Sequence, residues 1–388
     1  MKNRITRRLD RVSPSGIRKY FDLVSSMEGV ISLGVGEPDF TTPWHITEAA
    51  IRSLEQGYTM YTSNSGMLEL RQELASYLKS TYNLEYDPVT ELLITTGVSE
   101  GLDLSLRAIL DPGDEIIMPD PSYVAYPSCV LFSYGEPVQV PTHCENGFKL
   151  RAADVEARIT HRTKAILIGY PANPTGAVME MADLAEIADV ARRHNLLVIS
   201  DEIYNLLVYE TPPTCFACLP AMKERTILLG GFSKAYAMTG WRIGYAAASA
   251  DIIAAMTKIH QYSALCAPIM GQAAALEALR AGEKEARRMI EEYDRRRRVI
   301  VKGLNNIGLT CFEPRGAFYA FPSVAVTGLS SEEFAEGLLS EEKVLVVPGS
   351  AFGQCGEGHV RCCYATSLSN IEEALKRMSR FVARHRRT

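Results

Sequence analysis

The sequence predicts an α/β fold: a large domain built on a mostly parallel seven-stranded sheet sandwiched by helices, plus a smaller α+β domain. Between about residues 90 and 250, short apolar runs alternate with helical patterns, which is typical of parallel strands joined by crossover helices. The chain has 388 residues, more than one simple core usually holds. We expect residues 46–285 to form the large domain and residues 286–388 the small one, which residues 1–45 join.

Seven apolar runs are the predicted strands of the large sheet. They cover residues 91–96, 115–118, 137–140, 164–168, 196–200, 226–229 and 242–246. The helix before Asn195 ends in Arg192, Arg193 and His194, cations that suit the negative end of a helix dipole. Another helix is predicted over residues 102–110, directly after a glycine-containing turn.

The small domain is predicted to begin within a long charged helix at residues 282–306. Short strands follow at residues 317–321, 344–347 and 359–363, with helices at 331–341 and 369–384. The long helix contains four consecutive arginines, Arg295 to Arg298, which could contact nucleic acid. Because acidic residues precede them, we interpret this run as a solvated helix face.

Composition limits the partners and the compartment. The formal net charge of −5 gives no electrostatic reason to expect a nucleic-acid or membrane partner. The apolar runs are too short to span a bilayer, and no apolar segment follows the basic N-terminus, so we predict a cytoplasmic protein. Nine cysteines scattered along the chain indicate thiols in a reducing compartment rather than a disulfide framework.

Two pairs of cysteines are closely spaced. Cys215 and Cys218 have the spacing of a redox pair or of half a zinc site, but no second pair lies where a four-ligand site needs one. We therefore expect no metal. Cys362 and Cys363 are most simply explained by packing within a strand.

Polar residues and glycines follow three of the predicted strands at the point where each strand ends. Because open parallel sheets bind ligands beyond the carboxyl ends of their strands, we expect these stretches to share one site. A helix start suits a phosphate, and a carboxylate at the end of a buried strand needs a cationic partner. Each stretch alone is explained equally well as a tight turn or a cap. The stretches are Gly97-Val-Ser-Glu-Gly101, Tyr170-Pro-Ala-Asn-Pro-Thr-Gly176 and Asp201-Glu-Ile-Tyr204.

The most informative stretch follows the next apolar run. Gly230 and Gly231 precede Ser233 and Lys234, and Arg242 comes eight residues after the lysine. An amine near a guanidinium loses part of its preference for the protonated form, so Lys234 is a candidate Schiff-base nucleophile. The planar guanidinium suits a phosphate. Together they indicate a site that binds a phosphorylated aldehyde covalently; the alternative is a surface lysine and a salt-bridged arginine.

The order of these motifs, over almost the whole chain, resembles that of the class I/II aminotransferases, fold-type I enzymes that use pyridoxal 5′-phosphate. The resemblance implies that Lys234 joins the cofactor as a Schiff base and that Asp201 pairs with its pyridine nitrogen. It also implies that Tyr204, with Asn173, hydrogen-bonds the ring 3-hydroxyl, so that Lys234, Asp201 and Tyr204 are the catalytic residues. The residues implied to hold the cofactor phosphate are Val98, Ser99, Ser233 and Arg242.

Other positions extend the resemblance. Tyr123 corresponds to an aromatic residue stacked on the cofactor ring. Tyr61 corresponds to a tyrosine that reaches the phosphate of the neighbouring subunit, which implies a homodimer with shared sites. Gly36, Asn173 and Arg361 are the implied substrate-binding residues, the arginine clamping the substrate α-carboxylate. The stretches at residues 316–319 and 348–350 match small-domain motifs of the family.

Two departures from the family pattern bear on the substrate. The stacking position holds Tyr123, where many aspartate-type members carry tryptophan, and Ser99 stands where some acidic-substrate members place a lysine. The sequence also shows no clear second arginine for a distal carboxylate. Each of these points weakens the assignment of aspartate as the substrate.

The implied activity is amino-group transfer between an L-amino acid and a 2-oxo acid such as 2-oxoglutarate, by a ping-pong mechanism. Aspartate, aromatic amino acids, alanine and glutamate all remain candidate substrates. A carbon–sulfur lyase of the cystathionine β-lyase type would use the same lysine, aspartate and arginine. A serine hydrolase is a more distant alternative, because Gly97-Val-Ser99-Glu-Gly101 has nucleophile-elbow spacing and His359 could supply the base. A non-catalytic regulatory domain of the same fold is the third alternative to an aminotransferase.

Overall fold

The computed structural model describes residues 5–12, 14 and 27–387, and its main feature is one seven-stranded sheet. The strand order is β2-β8-β7-β6-β5-β3-β4, and only β8 runs opposite to the others. This confirms the predicted mostly parallel sheet. The strands of this sheet are β2 (Leu92–Thr95), β3 (Glu115–Asp120), β4 (Glu136–Pro141), β5 (Thr163–Ile168), β6 (Leu197–Asp201), β7 (Thr226–Gly231) and β8 (Gly244–Ala247).

Helices cover both faces of the sheet. They are α1 (Trp44–Glu55), α2 (Leu68–Tyr82), α3 (Gly97–Ile109), α4 (Ala125–Phe132), α5 (Ala152–Glu156), α6 (Met181–Arg193), α7 (Ala250–His260), α8 (Ile269–Ala281), α9 (Glu283–Asn306), α10 (Ser331–Glu342) and α11 (Leu368–His385).

The central strands are apolar at successive positions, with no alternation of apolar and polar residues, because both faces of the sheet are buried there. Leu167 and Ile199 pack in a cluster that includes residues of α3, α4 and α7. Their neighbours Ile166 and Val198 point the other way, into a cluster that includes residues of α6. Successive strand residues face opposite sides of a sheet, so a continuous apolar run marks a strand with helices on both sides.

Two predicted boundaries are wrong, for one reason. Arg242 was predicted to begin a strand, but its backbone has φ 57° and lies in the turn before β8. A left-handed residue cannot continue a strand ladder. Helix α3 begins at Gly97, five residues before the predicted start, because Gly97 has φ +75° and lets the chain pass from strand to helix at once. Both turns carry predicted site residues.

The smaller sheets lie in the C-terminal part. Strand β12 (Val360–Cys363) pairs antiparallel with β9 (Tyr319–Ala320) and β11 (Val347–Pro348). Strand β10 (Val344–Leu345) pairs in parallel with β1 (Ile31–Ser32) from the N-terminal segment.

The N-terminal segment touches more than one part of the molecule. Besides the pairing of β1, Arg11 forms an ion pair of 2.6 Å with Glu136 of β4. Residues 1–4, 13 and 15–26 of this segment lie outside the described residues. The division into residues 1–45, 46–285 and 286–388 stays a prediction.

The arginine run in α9 is only half solvated, so its interpretation as a solvated face is partly wrong. The side chains of Arg295 and Arg298 are 64% and 65% exposed, but those of Arg296 and Arg297 are 7% and 1% exposed. Four consecutive residues span more than one helical turn, so some of them must face the protein. Arg296 pairs with Asp39 at 2.7 Å, which ties the N-terminal segment to α9.

Candidate active site

A cavity of about 540 Å³ opens beyond the carboxyl ends of the parallel strands. Stretches that follow β2, β3, β5, β6 and β7 line it, together with residues of β9, β12 and the N-terminal segment. Most of the site residues predicted from the sequence therefore lie around one space. Those that line it are Gly36, Val98, Ser99, Tyr123, Asn173, Asp201, Tyr204, Ser233, Lys234, Arg242 and Arg361.

Asp201 is the last residue of β6 and is 7% exposed. Its Oδ2 accepts a hydrogen bond of 2.9 Å from the Tyr126 hydroxyl, and its Oδ1 accepts one of 3.2 Å from the Ile203 backbone N–H. Burial nevertheless raises the pKa of Asp201 to about 6. A carboxylate so placed is stabilised by a cation that enters the cavity.

Lys234 lies in the turn after β7, and its Nζ donates a hydrogen bond of 2.7 Å to the Gly36 carbonyl. The pKa of Lys234 is lowered to about 8, mainly by burial; the charges of Arg361 and Arg242 also lower it, and those of Cys363 and Glu37 act in the opposite direction. A sizeable fraction of this amine is therefore neutral near pH 7 to 8. A neutral amine is the form that attacks an aldehyde.

Arg361 extends from β12 across the cavity. Its Nη1 donates to Asn173 Oδ1 at 2.9 Å and its Nη2 to the Gly34 carbonyl at 2.5 Å. Its Nε is buried and has no hydrogen-bond partner among the described residues. A buried guanidinium with a donor to spare suits a carboxylate, which accepts two parallel bonds from such a group.

The start of α3 and Arg242 form a cradle for an anion. Gly97, Val98 and Ser99 make up the first turn, whose backbone N–H groups have no partners within the helix. Arg242 Nη2 lies so near that a Cβ atom placed on Gly97 would be 2.6 Å away from it. A guanidinium beside the positive end of a helix dipole is favourable only with an anion between or above them, as a phosphate would be.

Two tyrosines that the sequence did not single out complete the site. Tyr126 holds Asp201, as described, and its ring meets that of Tyr123 edge to face at 5.5 Å. The Tyr319 hydroxyl hydrogen-bonds the Tyr204 hydroxyl at 2.6 Å, and its ring lies 4.6 Å from the Arg361 guanidinium. Tyr126 follows Tyr123 by three residues, the one local signal for it. Tyr319 was noted only as part of a small-domain motif.

Tyr61 lies outside this cavity. It is 81% exposed in the loop between α1 and α2, close in sequence to Met60, which is 77% exposed. Its predicted contact with a neighbouring subunit stays a prediction.

The serine-hydrolase arrangement does not form. Ser99 lines the cavity, whereas His359 does not and instead stacks on the ring of Phe321 at 5.0 Å between centroids. No histidine is among the described residues that line the cavity with Ser99, so the Ser99–His359 pair of a serine hydrolase is not formed.

All nine cysteines are free thiols, and the described residues contain no group of three or more residues that could hold a metal ion. In the described part of the chain no helix combines the length and the apolar character that crossing a bilayer requires.

The fold and the site together define a class of protein: an α/β enzyme in which a lysine, a carboxylate and two arginines meet at the carboxyl edge of the sheet. Known proteins identify the family. A family model described as aminotransferase class I and II matches residues 28–378, so the chain belongs to that family and is a transaminase. The lyase, hydrolase and regulatory alternatives are not favoured by this membership.

Individual relatives cover nearly the whole chain. The chain is 47% identical to an aspartate aminotransferase of Pyrococcus abyssi, over 96% of this chain and 97% of the relative. It is 46% identical to aromatic-amino-acid aminotransferase 2 of Thermococcus litoralis, with the same two coverages. The solved structure of an aromatic aminotransferase from Pyrococcus horikoshii superposes with a TM-score of 0.91 at 45% identity, covering 95% of this chain and 99% of that one.

Proposed function

We propose that the protein is a pyridoxal 5′-phosphate-dependent aminotransferase that moves an amino group between an L-amino acid and a 2-oxo acid such as 2-oxoglutarate. The observation that supports it is the convergence of Lys234, Asp201, Arg242 and Arg361 on one cavity. An aldehyde, a ring cation, a phosphate and a substrate carboxylate each need one of these four groups.

The residues present fit this cofactor. Because position 97 is glycine, no side chain occupies the space between the start of α3 and Arg242, and that space suits a phosphate. Val98, Ser99 and Ser233, which also line the cavity, would help to hold it. The buried carboxyl of Asp201 suits the ring nitrogen. Tyr123 would lie on the ring face, and Tyr204 with Asn173 would hydrogen-bond the ring hydroxyl.

The chain's own residues then perform the remaining steps. The cofactor, when bound, supplies the electron sink that makes an amino-acid α-proton acidic. Asp201, held ionised by Tyr126 and by the protonated ring nitrogen of the bound cofactor, would keep that nitrogen protonated. The positive charge would then lie next to the atoms on which negative charge develops. Lys234 Nζ, with its lowered pKa, would take the α-proton and deliver it to the carbon on the other side of the amino nitrogen, as general acid–base catalyst.

Arg361 and Gly36 orient the substrate. The guanidinium would bind the α-carboxylate through two parallel N–H bonds, made by the unpartnered Nε and by a terminal nitrogen released from Asn173 or Gly34. The absence of a side chain at Gly36 leaves room beside the Tyr319 hydroxyl, from which a Cβ would be only 2.5 Å. Fixed at its carboxylate, the substrate presents its α-hydrogen to Lys234.

The candidate amino acids are aspartate, aromatic amino acids and alanine. Two relatives are named for aspartate and for aromatic amino acids. Among the described residues that line the cavity, Arg242 and Arg361 are the two arginines. If they bind the phosphate and the α-carboxylate, neither is left for a distal carboxylate, which favours a neutral or aromatic side chain over aspartate.

The assembly and setting are proposed on similar grounds. The exposed Met60 and Tyr61 support a homodimer in which Tyr61 reaches the partner's phosphate site. Nine free thiols support a reducing, cytoplasmic setting. The pairing of β1 with β10 supports residues 1–45 joining a small domain of residues 286–388, beside a large domain of residues 46–285.

Borohydride trapping tests the cofactor assignment. Reduction of the purified enzyme followed by tryptic mapping should place one pyridoxyl group on Lys234, and Lys234→Ala should lack both the adduct and activity. The exposed Lys164 offers a matched control, since Lys164→Ala should retain both. A pyridoxyl group on another lysine would refute the assignment.

The substrate pair is tested separately. The twenty amino acids, each added to the loaded enzyme, should change the cofactor spectrum only when they donate an amino group, and we expect aromatic amino acids to do so faster than aspartate. In parallel, Arg361→Lys should raise KM for every active amino acid, because an ammonium cannot make the two parallel bonds. An unchanged KM would remove Arg361 from the carboxylate site.

A further inference from the structure

The proposed function does not use the closely spaced pair Cys215 and Cys218. Cys215 immediately precedes a short 3₁₀ turn, Phe216–Cys218, and Cys218 is its last residue. The Cys218 backbone N–H donates to the Cys215 carbonyl at 3.2 Å, which closes the turn. Cys215 itself has extended backbone. The two thiols are close enough to hydrogen-bond each other, which is the proximity that a disulfide between them requires.

The two thiols differ in access and in acidity. Cys215 is 1% exposed, whereas Cys218 is partly exposed. Hydrogen bonding to Cys215 lowers the pKa of Cys218, while the same contact and burial raise the pKa of Cys215. Of the pair, Cys218 is therefore the more exposed residue and the one whose thiol ionises first; while protonated, that thiol donates to the Tyr82 carbonyl at 3.2 Å. This is the division between an attacking and a resolving cysteine.

The turn is attached to the strand that ends in Asp201. The Phe216 backbone N–H donates to Glu202 Oε1 at 2.9 Å, and the Ser200 hydroxyl donates to the same oxygen at 3.0 Å. Glu202 is 4% exposed, follows Asp201 directly and does not line the cavity. A change in the turn is therefore passed to the end of β6 through the bond between the Phe216 backbone N–H and the Glu202 carboxylate.

We propose that Cys215 and Cys218 form a reversible disulfide in exchange with a low-molecular-weight disulfide, and that this oxidation slows the enzyme. The Cys218 thiolate attacks one sulfur of the small disulfide and releases one small thiol. Cys215 then loses its proton and attacks the Cys218 sulfur of the mixed disulfide, releasing the second thiol. Two protein thiols are oxidised while one small disulfide is reduced to two thiols. The slowing rests on the proposed role of Asp201.

Peptide mapping tests the disulfide itself. The loaded enzyme is equilibrated with glutathione disulfide, blocked with an alkylating agent and cut with trypsin. The tryptic peptide of residues 194–223 contains these two cysteines and none of the other seven. In the wild type we expect it to become two hydrogen atoms lighter and to escape alkylation. In Cys215→Ser it should instead keep one glutathionyl group on Cys218, and in Cys218→Ser it should stay fully reduced.

The outcomes that overturn the disulfide are equally definite. A wild-type peptide that stays reduced in excess glutathione disulfide refutes it. So does a glutathionyl group that persists on Cys218 in the wild type, because Cys215 would then have failed to resolve it. Alkylation of each variant after unfolding shows that the reduced thiols are present, so a negative result is not a loss of sample.

Activity tests the coupling separately. We expect the oxidised wild type to lose kcat several-fold and to recover it with dithiothreitol, while Cys218→Ser keeps its kcat under both conditions. Cys129→Ser is the matched control, because Cys129 is also partly buried but lies on α4; it should respond like the wild type. A disulfide that forms with no change in kcat overturns the coupling and leaves the aminotransferase proposal intact. Inhibition that persists in Cys218→Ser also overturns it.

Discussion

At the scale of single residues, the site holds one acid and one base away from their ordinary pKa values, both mainly by burial. Asp201 has its pKa raised to about 6 and Lys234 has its pKa lowered to about 8. In each case burial disfavours the charged form. The unliganded site is therefore electrostatically unfavourable, and a ligand that brings a positive ring and a negative phosphate relieves it.

Asp201 allows a test of this effect through stability. A carboxyl whose folded pKa lies above its unfolded value stabilises the fold below about pH 4, and that contribution is lost as the pH rises through about 6. Removing the charge should therefore help the cofactor-free protein at neutral pH. We expect Asp201→Asn to raise its free energy of unfolding by about 3 kcal/mol near pH 8, since 2.2 pKa units separate the two states at about 1.4 kcal/mol each.

Denaturant titrations of the cofactor-free variant and wild type at several pH values provide the measurement. The gain should shrink toward zero near pH 4, where both proteins are uncharged at this position. A gain that does not depend on pH would show that Asp201 is not the buried charge responsible.

Tyr319 joins two groups of the site, since its hydroxyl bonds Tyr204 and its ring lies on the Arg361 guanidinium. Tyr319→Phe removes only the hydroxyl. We expect kcat/KM to fall roughly five-fold, the worth of one hydrogen bond of about 1 kcal/mol, with KM little changed because the ring still supports Arg361. Tyr319→Leu should also raise KM, because it removes the ring.

Steady-state kinetics with a good amino-acid substrate measures both effects. Tyr364→Phe is the matched control: Tyr364 is equally buried and donates to the Ala317 carbonyl at 3.2 Å, but it does not line the cavity. It should change stability and leave kcat/KM unaltered. If both phenylalanine variants behaved alike, Tyr319 would be structural only.

At the scale of elements, one face of α9 is solvated and the other contacts two loops through a buried arginine. Arg297, 1% exposed, reaches Glu210 at 2.6 Å, Glu313 at 3.1 Å and the Pro314 carbonyl at 3.2 Å. It therefore connects the helix to the two loops that contain Glu210 and Glu313. Its neighbour Arg298 pairs with Asp294 at 2.6 Å on the solvent side.

These neighbours allow a comparison within one helix turn. We expect Arg297→Ala to lower the free energy of unfolding by about 3 kcal/mol, because it empties the buried space that this side chain fills and leaves the Pro314 carbonyl without its donor. Arg298→Ala should cost less than about 1 kcal/mol, since its pair is exposed and screened by solvent. Urea unfolding of the two variants measures the difference, and equal losses would contradict the buried role of Arg297.

At the scale of the whole molecule, the loop between α1 and α2 presents Met60 and Tyr61 almost fully to solvent. Large apolar side chains clustered on a surface indicate an interaction site. For this chain we have proposed a second copy as the partner, with Tyr61 completing its phosphate site. The proposal links assembly to cofactor retention.

Met60→Glu tests that link. A charge placed in an apolar interface should weaken the dimer and, by withdrawing Tyr61 from the partner's site, release the cofactor more readily. Sedimentation velocity and the absorbance of retained cofactor measure the two effects on one sample. Val89→Glu is the control, because Val89 is 60% exposed on another loop and should leave both unchanged. A dimeric variant with normal cofactor content would remove this loop from the interface.

Much of the proposed site could be predicted from the sequence because its residues lie at or just after the ends of strands. Asn173, Asp201 and Lys234 each come within five residues of the end of an apolar run, and parallel strands bring their carboxyl ends to one edge. Backbone detail was harder to read. The turn at Arg242 and the early start of α3 depend on positive φ angles that apolar periodicity does not report.

The amino-acid order alone determined the parallel sheet, the edge at which the proposed site lies and most of the groups that line it, since these follow from local pattern and from the geometry common to such sheets. Only the tertiary structure decided that Tyr126 holds Asp201, that Tyr319 joins Tyr204 to Arg361, and that Arg297 is buried while Arg298 is not. Those contacts join residues far apart in the chain, and burial, which shifts the pKa values of the acid and the amine, arises only once the elements pack.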